Sequence, residues 1–278
     1  MTTGIILPEF DPFVISIGGF GIRWYALAYI IGLVGGYWIL RREARAGGPV
    51  DVPGIESLLN HVLLGVILGG RLGFVLFYQP AYYLSHPLDI LKIWQGGMAF
   101  HGGLGGVILA MWWFSWRRHM SIFTISDRVA LVVPIGLCLG RLSNFINAEL
   151  YGRVTDLPWG MVFPHSDGLP RHPSQLYEAG LEGIILGGIM VFGYRRGWLQ
   201  ITGRLSAVLL TGYGSARFLV EFVREPDPQL GTLLGLVTMG QLLCLPMIAG
   251  GLYILVRHTR NGRHAARRMR LTPYLPTS

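Results

Sequence analysis

The sequence predicts an all-α, polytopic membrane protein with seven transmembrane helices. Three observations carry that reading. The 278 residues are 51% hydrophobic but only 14% charged, where a soluble domain carries about 25% charged residues. Seven apolar runs follow one another, each near the roughly 20 residues that a bilayer crossing requires. The basic residues collect in alternate connections between those runs, which is how topology signals are placed. A soluble fold of this size would need a polar surface that this composition cannot supply.

The runs are 20–40, 55–77, 97–116, 129–148, 176–194, 203–222 and 232–256. The first ten residues, MTTGIILPEF, hold no Lys or Arg, unlike the basic start of a signal peptide. The first run is therefore expected to be kept as a span, and it carries Tyr25. The second carries Arg71 near its end. The third, GGMAFHGGLGGVILAMWWFS, and the seventh, TLLGLVTMGQLLCLPMIAGGLYILV, are the clearest. His101 stands near the start of the third, among short residues that allow a close approach to the backbone. The fourth carries Arg141 and Asn144, the fifth Glu178 and Glu182, the sixth Tyr213, Arg217 and Glu221. Forty glycines and eight tryptophans suit close helix packing and interfacial anchoring. Cys138 and Cys244 lie inside apolar runs and read as packing residues.

Orientation follows from the connections. Clusters at Arg41, Arg42 and Arg45, at Arg117, Arg118 and Arg128, at Arg195, Arg196 and Arg204, and in the C-terminal tail share one side. They hold fifteen of the 23 Lys and Arg residues, against five on the other side. The N-terminus is expected outside and the C-terminus in the cytoplasm. The long outer connections 78–96 and 149–175, rich in aromatic, Gly and Pro residues, read as structured outer-face loops. No repeat or linker divides the chain, so 1–278 reads as a single integral membrane domain with a basic cytoplasmic tail at 257–278. A net charge of +8 fits that tail lying beside anionic bilayer lipids, and no nucleic-acid partner is implied.

Depth locates the chemistry. With alternating spans, Tyr25, Arg71, His101, Arg141, Asn144, Gln175, Glu178, Tyr213, Arg217 and Glu221 all fall in the outer half of the bundle. Ionisable groups in hydrocarbon cost several kcal/mol unless they are paired or face a cavity, so one shared level implies an internal polar cavity. Tyr213, Arg217, Glu221 and Arg224 share a helical face, and Arg217 can pair with Glu221 across a turn. Buried arginines without an equal stock of carboxylates point to an anionic ligand, which guanidinium grips through a planar fork. An anionic lipid headgroup is the economical choice. Three classes fit: a lipid-modifying transferase or hydrolase, a transporter or flippase for an anionic lipid or solute, and an assembly protein. A single histidine does not make a metal site.

Five stretches narrow the choice: RWYALAY at 23–29, GGMAFHGG at 96–103, GRLSNFINAELYG at 140–152, RHPSQLYEA at 171–179 and YGSARFLVEFVREPD at 213–227. In order and over nearly its whole length, the chain resembles bacterial prolipoprotein diacylglyceryl transferases. The resemblance implies a multi-pass enzyme of the bacterial inner membrane, N-terminus outside, with its active cavity toward the periplasmic face. It implies transfer of the diacylglyceryl group of phosphatidylglycerol to the lipobox cysteine thiol of a prolipoprotein signal peptide. A thioether forms and glycerol-1-phosphate leaves, in the first step of lipoprotein maturation and without metal or organic cofactor. The family's essential residues fall on His101, Arg141 and Arg217, with Tyr25, Asn144, Glu149, Gly152, Glu221 and Arg224 also matching. Tyr213 joins them on the stripe it shares with Arg217. In this reading the arginines hold the lipid phosphate and His101 is the base candidate, imidazole being the side chain that ordinarily titrates nearest neutral pH. Tyr25 and Asn144 orient headgroup or arginines, and Glu149 and Glu221 hold guanidinium groups. Ser143 departs from the family's small Gly or Ala; its hydroxyl can bond to the preceding helical turn, so activity is expected to persist.

Overall fold

The computed structural model describes residues 4–18, 20–225, 232–233 and 237–271, with side chains to Arg257 except at Ile17, Phe20, Thr232 and Leu233. Beyond Arg257 the expected basic tail thus lies outside the described side chains, as do Pro226 and Asp227 of the fifth matching stretch. Among the described residues, each of the seven apolar runs contains a long helix. These are α1 (Trp24–Arg45), α2 (Val52–Phe77), α4 (Phe100–Arg117), α5 (Ile122–Ile146), the continuous helix Ser174–Arg195, α8 (Arg204–Val220) and α9 (Met239–Leu271). A short helix α3 (Pro80–Ser85) follows α2. Four of the seven long helices have the length and hydropathy to cross a membrane: α2, α5, Ser174–Arg195 and Met239–Arg257 of α9.

Boundaries differ from expectation where the backbone bends ahead of a helix. The third run begins as helix only at Phe100, because Gly96 and Gly97 take φ of 85° and 81°, a region closed to most side chains. The first run opens as strand. Hairpin β2 (Phe13–Ile17) and β3 (Phe20–Arg23) pairs antiparallel directly ahead of Trp24. The seventh run turns helical only at Met239, after strand β6 (Val237–Thr238) has paired with β5 (Thr232–Leu233).

The chain forms two compact units, residues 37–126 and the remainder. In the smaller, α2 packs on α4 through glycine. A Cβ on Gly69 or Gly106 would collide with the facing backbone at Gly102 and Gly65 respectively, and one on Gly73 would come within 2.7 Å of Gly102 Cα. Small residues every fourth position let membrane helices approach this closely. The close approach to the backbone that the glycines after His101 allow is thus made by α2. Asp51 starts α2, accepting from Gly54 N at 3.2 Å and from Arg118 Nη1 at 2.8 Å. That arginine holds the Asp51 carboxyl below its usual range.

In the larger unit, α1 meets α5 where Gly32 faces Gly136. Strand β1 (Ile5–Ile6) pairs parallel with β4 (Met161–Val162) in the 149–175 connection, so that connection is structured. Helix Ser174–Arg195 comprises α6 (Ser174–Glu178), a π-helical turn (Ala179–Ile185) and α7 (Leu186–Arg195), and Gly183 lets it lie against Cys138 of α5. Asp127 of α5, fully buried, accepts from Gly203 N, Ser206 N and Ser206 Oγ at 2.6–2.7 Å. It thereby satisfies donors that the first turn of α8 leaves open.

Candidate active site

The larger unit gathers three guanidinium groups around one carboxylate. Glu178, with no exposed side-chain surface, sits at the junction of α6 and the π turn. Its Oε1 accepts from Arg217 Nη1 of α8 and from Arg224 Nη1 at 3.0 Å; its Oε2 lies 3.1 Å from Arg141 Nε of α5. Arg217 Nη2 also stands 3.0 Å from Glu221 Oε2, one turn on, so the expected pairing across a turn is present but is only half of what Arg217 does. Glu182, one turn beyond Glu178, lies 3.8 Å from Arg141 Nε. π-helical turns recur at functional sites, and this one carries Glu182 beside the arginines.

Three arginines face three glutamates. The surplus of arginine inferred from the sequence is therefore corrected: Glu178, Glu182 and Glu221 balance Arg141, Arg217 and Arg224. The physical reason is cost, since an unpaired buried charge is expensive in a low-dielectric setting. The pairing is nevertheless incomplete. Glu178 Oε2, Glu221 Oε2 and both oxygens of Glu182 are buried without a hydrogen bond, so the contacts of Arg141 and of Arg217 Nη2 are ionic without N–H groups aimed at the oxygens. On the donor side, Arg141 Nη1 and Nη2 and Arg224 Nη2 have no hydrogen-bond partner among the described residues. The side chains of Arg141, Arg217 and Arg224 keep 16–18% of their surface exposed.

A second chain of polar contacts runs from α1 into the signature stretch. Asn144 Nδ2 donates to Tyr25 Oη, which donates to Glu149 Oε2 at 2.9 Å. Glu149 thus accepts from a phenol and holds no guanidinium among the described residues, contrary to the role expected for it. Its carbonyl accepts from Gln175 Nε2 at 2.6 Å. Ser143 donates to the Leu139 carbonyl at 3.0 Å, the bond into the preceding turn that its hydroxyl allows. Glu221 is fixed from its other side by Thr238 Oγ1 at 3.0 Å. Tyr213, one turn before Arg217, is half-buried and makes no hydrogen bond among the described residues.

Gly152 closes the signature stretch against the chain after α8. Its N–H donates to the His172 carbonyl at 2.8 Å, and it bridges to Arg224. A Cβ there would come within 2.7 Å of His172 Cβ and collide with the Val223 carbonyl, which explains why this position is glycine. Arg171 ties the same loop together through Asp167 (2.7 Å), Glu225 (2.9 Å) and the Gly152 carbonyl (3.1 Å). Hydrogen bonding to Arg171 holds the Asp167 carboxyl below its usual range, and burial pushes the His172 imidazole down.

Of the residues singled out from sequence, Tyr25, Arg141, Asn144, Glu149, Gly152, Tyr213, Arg217, Glu221 and Arg224 belong to this unit. His101 belongs to the other, exposed in the first turn of α4 with its ring edge-on to Phe100 at 5.6 Å. Arg71, also there, is spent on backbone carbonyls. The sequence grouped Glu178 with Arg141 and Arg217 but gave it no role; a glutamate inside an apolar run was the available signal.

The sequence profile of the prolipoprotein diacylglyceryl transferase family matches residues 12–257. Relatives named phosphatidylglycerol–prolipoprotein diacylglyceryl transferase include one from Cereibacter sphaeroides, 51% identical over 92% of this chain and 98% of its own. One from Methylocella silvestris is 55% identical over 89% and 93%. One from Bordetella avium is 52% identical over 91% and 96%.

Proposed function

The chain belongs to the prolipoprotein diacylglyceryl transferase family, and from that membership we propose how its buried ionic cluster serves the transfer. The enzyme moves the diacylglyceryl group of phosphatidylglycerol onto a prolipoprotein. The acceptor in our reading is the lipobox cysteine thiol of the signal peptide. Its sulfur attacks the diacylglyceryl carbon bonded to the phosphate oxygen. The S–C bond forms, the C–O bond breaks, and glycerol-1-phosphate leaves with the negative charge on that oxygen.

One observation carries the reading: unpartnered guanidinium N–H groups stand beside buried carboxylate oxygens that lack a donor. That array is complementary to a headgroup offering both an anionic phosphodiester and glycerol hydroxyls. The free N–H groups of Arg141 and Arg224, with Arg217 alongside, take the phosphate and stabilise the charge that grows on it as the C–O bond breaks. Preformed donors in a largely dry site supply such stabilisation without reorganisation. The glutamates hold the guanidinium groups in register while the site is empty, and their orphaned oxygens take the hydroxyls. Tyr25, Asn144 and Glu149 form the adjoining wall, and Tyr213 presents its hydroxyl one turn from Arg217.

The thiol must lose a proton, since with an ordinary pKa of about 8.5 it is mostly protonated at neutral pH. On its chemistry His101 is the base we assign. The seven long helices are taken as seven spans in a single membrane domain, N-terminus out, with the cluster toward the periplasmic face of the bacterial inner membrane. The placement of basic residues at one set of helix ends supports this.

The test is direct. Purified protein in detergent is given phosphatidylglycerol labelled in its glycerol headgroup and a lipobox peptide. Release of labelled glycerol phosphate together with a peptide thioether supports the transferase reading. Lipid binding or translocation with an unmodified peptide would replace it with a transporter.

A further inference from the structure

The mechanism above makes no use of the buried charge of Arg71. Arg71 of α2 is 4% exposed, has no carboxylate partner among the described residues, and turns its guanidinium into the connection that leads to α4. Nε donates to the Ile90 carbonyl at 2.8 Å. Nη1 donates to those of Gly96 at 2.5 Å and Gly97 at 3.3 Å, and Nη2 to those of Asp89 at 2.6 Å and Lys92 at 3.3 Å. The guanidinium lies over the Tyr83 ring, 5.2 Å from its centroid. Five carbonyls of one short loop thus converge on a single side chain. Two 3₁₀ turns, Pro87–Leu91 and Ile93–Gln95, lie within that loop.

The preceding residue completes the clamp. The Gly70 carbonyl accepts from Ala99 N at 2.9 Å, and Ala99 is the residue from which α4 starts, two positions before His101. The last two clamped carbonyls, just ahead of Ala99, belong to the Gly96–Gly97 pair with positive φ, a backbone that relaxes easily unless held. Ala99 provides no side-chain cap to fix the helix start. The position of the first turn of α4 is therefore set from α2, by Gly70 through its backbone and by Arg71 through its guanidinium.

We infer that Arg71 is a positioning residue for the transfer: it fixes the loop 89–97 and, through it, the first turn of α4 that carries His101. The inference rests on the assignment of His101 as the thiol base. Lysine, a point donor without the planar fork, reaches only part of this carbonyl ring.

The experiment is a rate cycle combined with hydrogen exchange on the full-length enzyme in detergent. It compares wild type, Arg71→Met, Arg71→Lys, His101→Gln and the Arg71→Met/His101→Gln double variant. Misplacement of a catalytic group by about 1 Å can cost up to 10²-fold, so Arg71→Met is expected to lower kcat at least roughly tenfold. KM for the lipid should stay within about twofold, and Arg71→Lys should recover part of the rate. Amide exchange should rise at 93–101 but not along the rest of α2 and α4. In the double variant the Arg71 change should add nothing to the loss from His101→Gln, as expected for residues acting through one group. Additive losses would overturn the proposal, as would a folded Arg71→Met enzyme at wild-type rate or exchange rising uniformly. Should Arg71→Met fail to fold, Arg71→Lys is held to the same criteria. A fully active His101→Gln enzyme that still slows on Arg71→Met would also overturn it. If wild type transfers nothing, the functional reading fails, while selective exchange at 93–101 still reports the clamp.

Discussion

Arg141 of α5 and Glu178 of the Ser174–Arg195 helix meet at 3.1 Å, Nε to Oε2, and leave both terminal nitrogens of the guanidinium unpartnered among the described residues. That relationship joins structure to chemistry: one side of Arg141 is committed to holding its place and the other is open to an anion. Glu178 in turn is shared among Arg141, Arg217 and Arg224.

Glu178→Gln should be the most damaging neutral substitution in the cluster. It removes the negative charge common to three arginines, and breaking a buried ion pair typically costs about 3–5 kcal/mol. Thermal unfolding in detergent should show a large loss of stability, and lipid transfer should fall with it. A Glu178→Gln protein as stable as wild type would mean the arginines are held by other groups.

Glu182→Leu addresses headgroup choice. Both Glu182 oxygens are buried without a donor, but Glu182 also lies 3.8 Å from Arg141 Nε, so the substitution should cost some stability, though less than Glu178→Gln. Losing one partner of a buried ion pair is destabilising, and the relief of two oxygens without a donor offsets part of that loss. Discrimination between phosphatidylglycerol and an anionic lipid lacking the glycerol headgroup should shrink by roughly tenfold, the equivalent of about one hydrogen bond to a charged group. Competition binding with the two lipids reads this, and unchanged discrimination would remove Glu182 from the account.

Tyr25→Phe takes away the hydroxyl between Asn144 and Glu149. Glu149 is exposed and regains water, but Asn144 is buried, and a buried donor left alone costs about 1–3 kcal/mol. A chemical-denaturation series should show that loss together with a raised KM for the lipid.

The loop latch has a pH signature. Asp167 carries a lowered folded-state pKa through its bonds to Arg171. Its contribution is therefore present above the ordinary carboxylate value of about 3.9 and is lost as pH falls through the lower folded-state value. Limited proteolysis of 153–170 should accelerate in that acid window, and Arg171→Met should abolish the dependence.

Much of this was legible in the sequence, for physical reasons. Hydropathy located seven helices because burial in lipid demands long apolar runs, and depth placed Arg141, Asn144 and Arg217 at one level. Depth says nothing about partners, however. Glu178 reaches Arg217 and Arg224 across 39 and 46 residues, and no local pattern records that. The glycines at 102 and 106 signalled a close approach to the backbone, but not that α2 is what approaches. The pairing of Ile5 with Met161 rests on backbone bonds that side-chain identity barely specifies.

The central claim is that Arg141 supplies an open guanidinium fork to the departing phosphate. The most direct measurement is single-turnover transfer by folded Arg141→Ala protein, with lipid and peptide saturating. Loss of one preorganised charge-stabilising donor predicts a fall of about 10²- to 10³-fold in the transfer rate, with lipid still bound. A single-turnover rate within about twofold of wild type, a change worth only about 0.4 kcal/mol in the barrier, would contradict it.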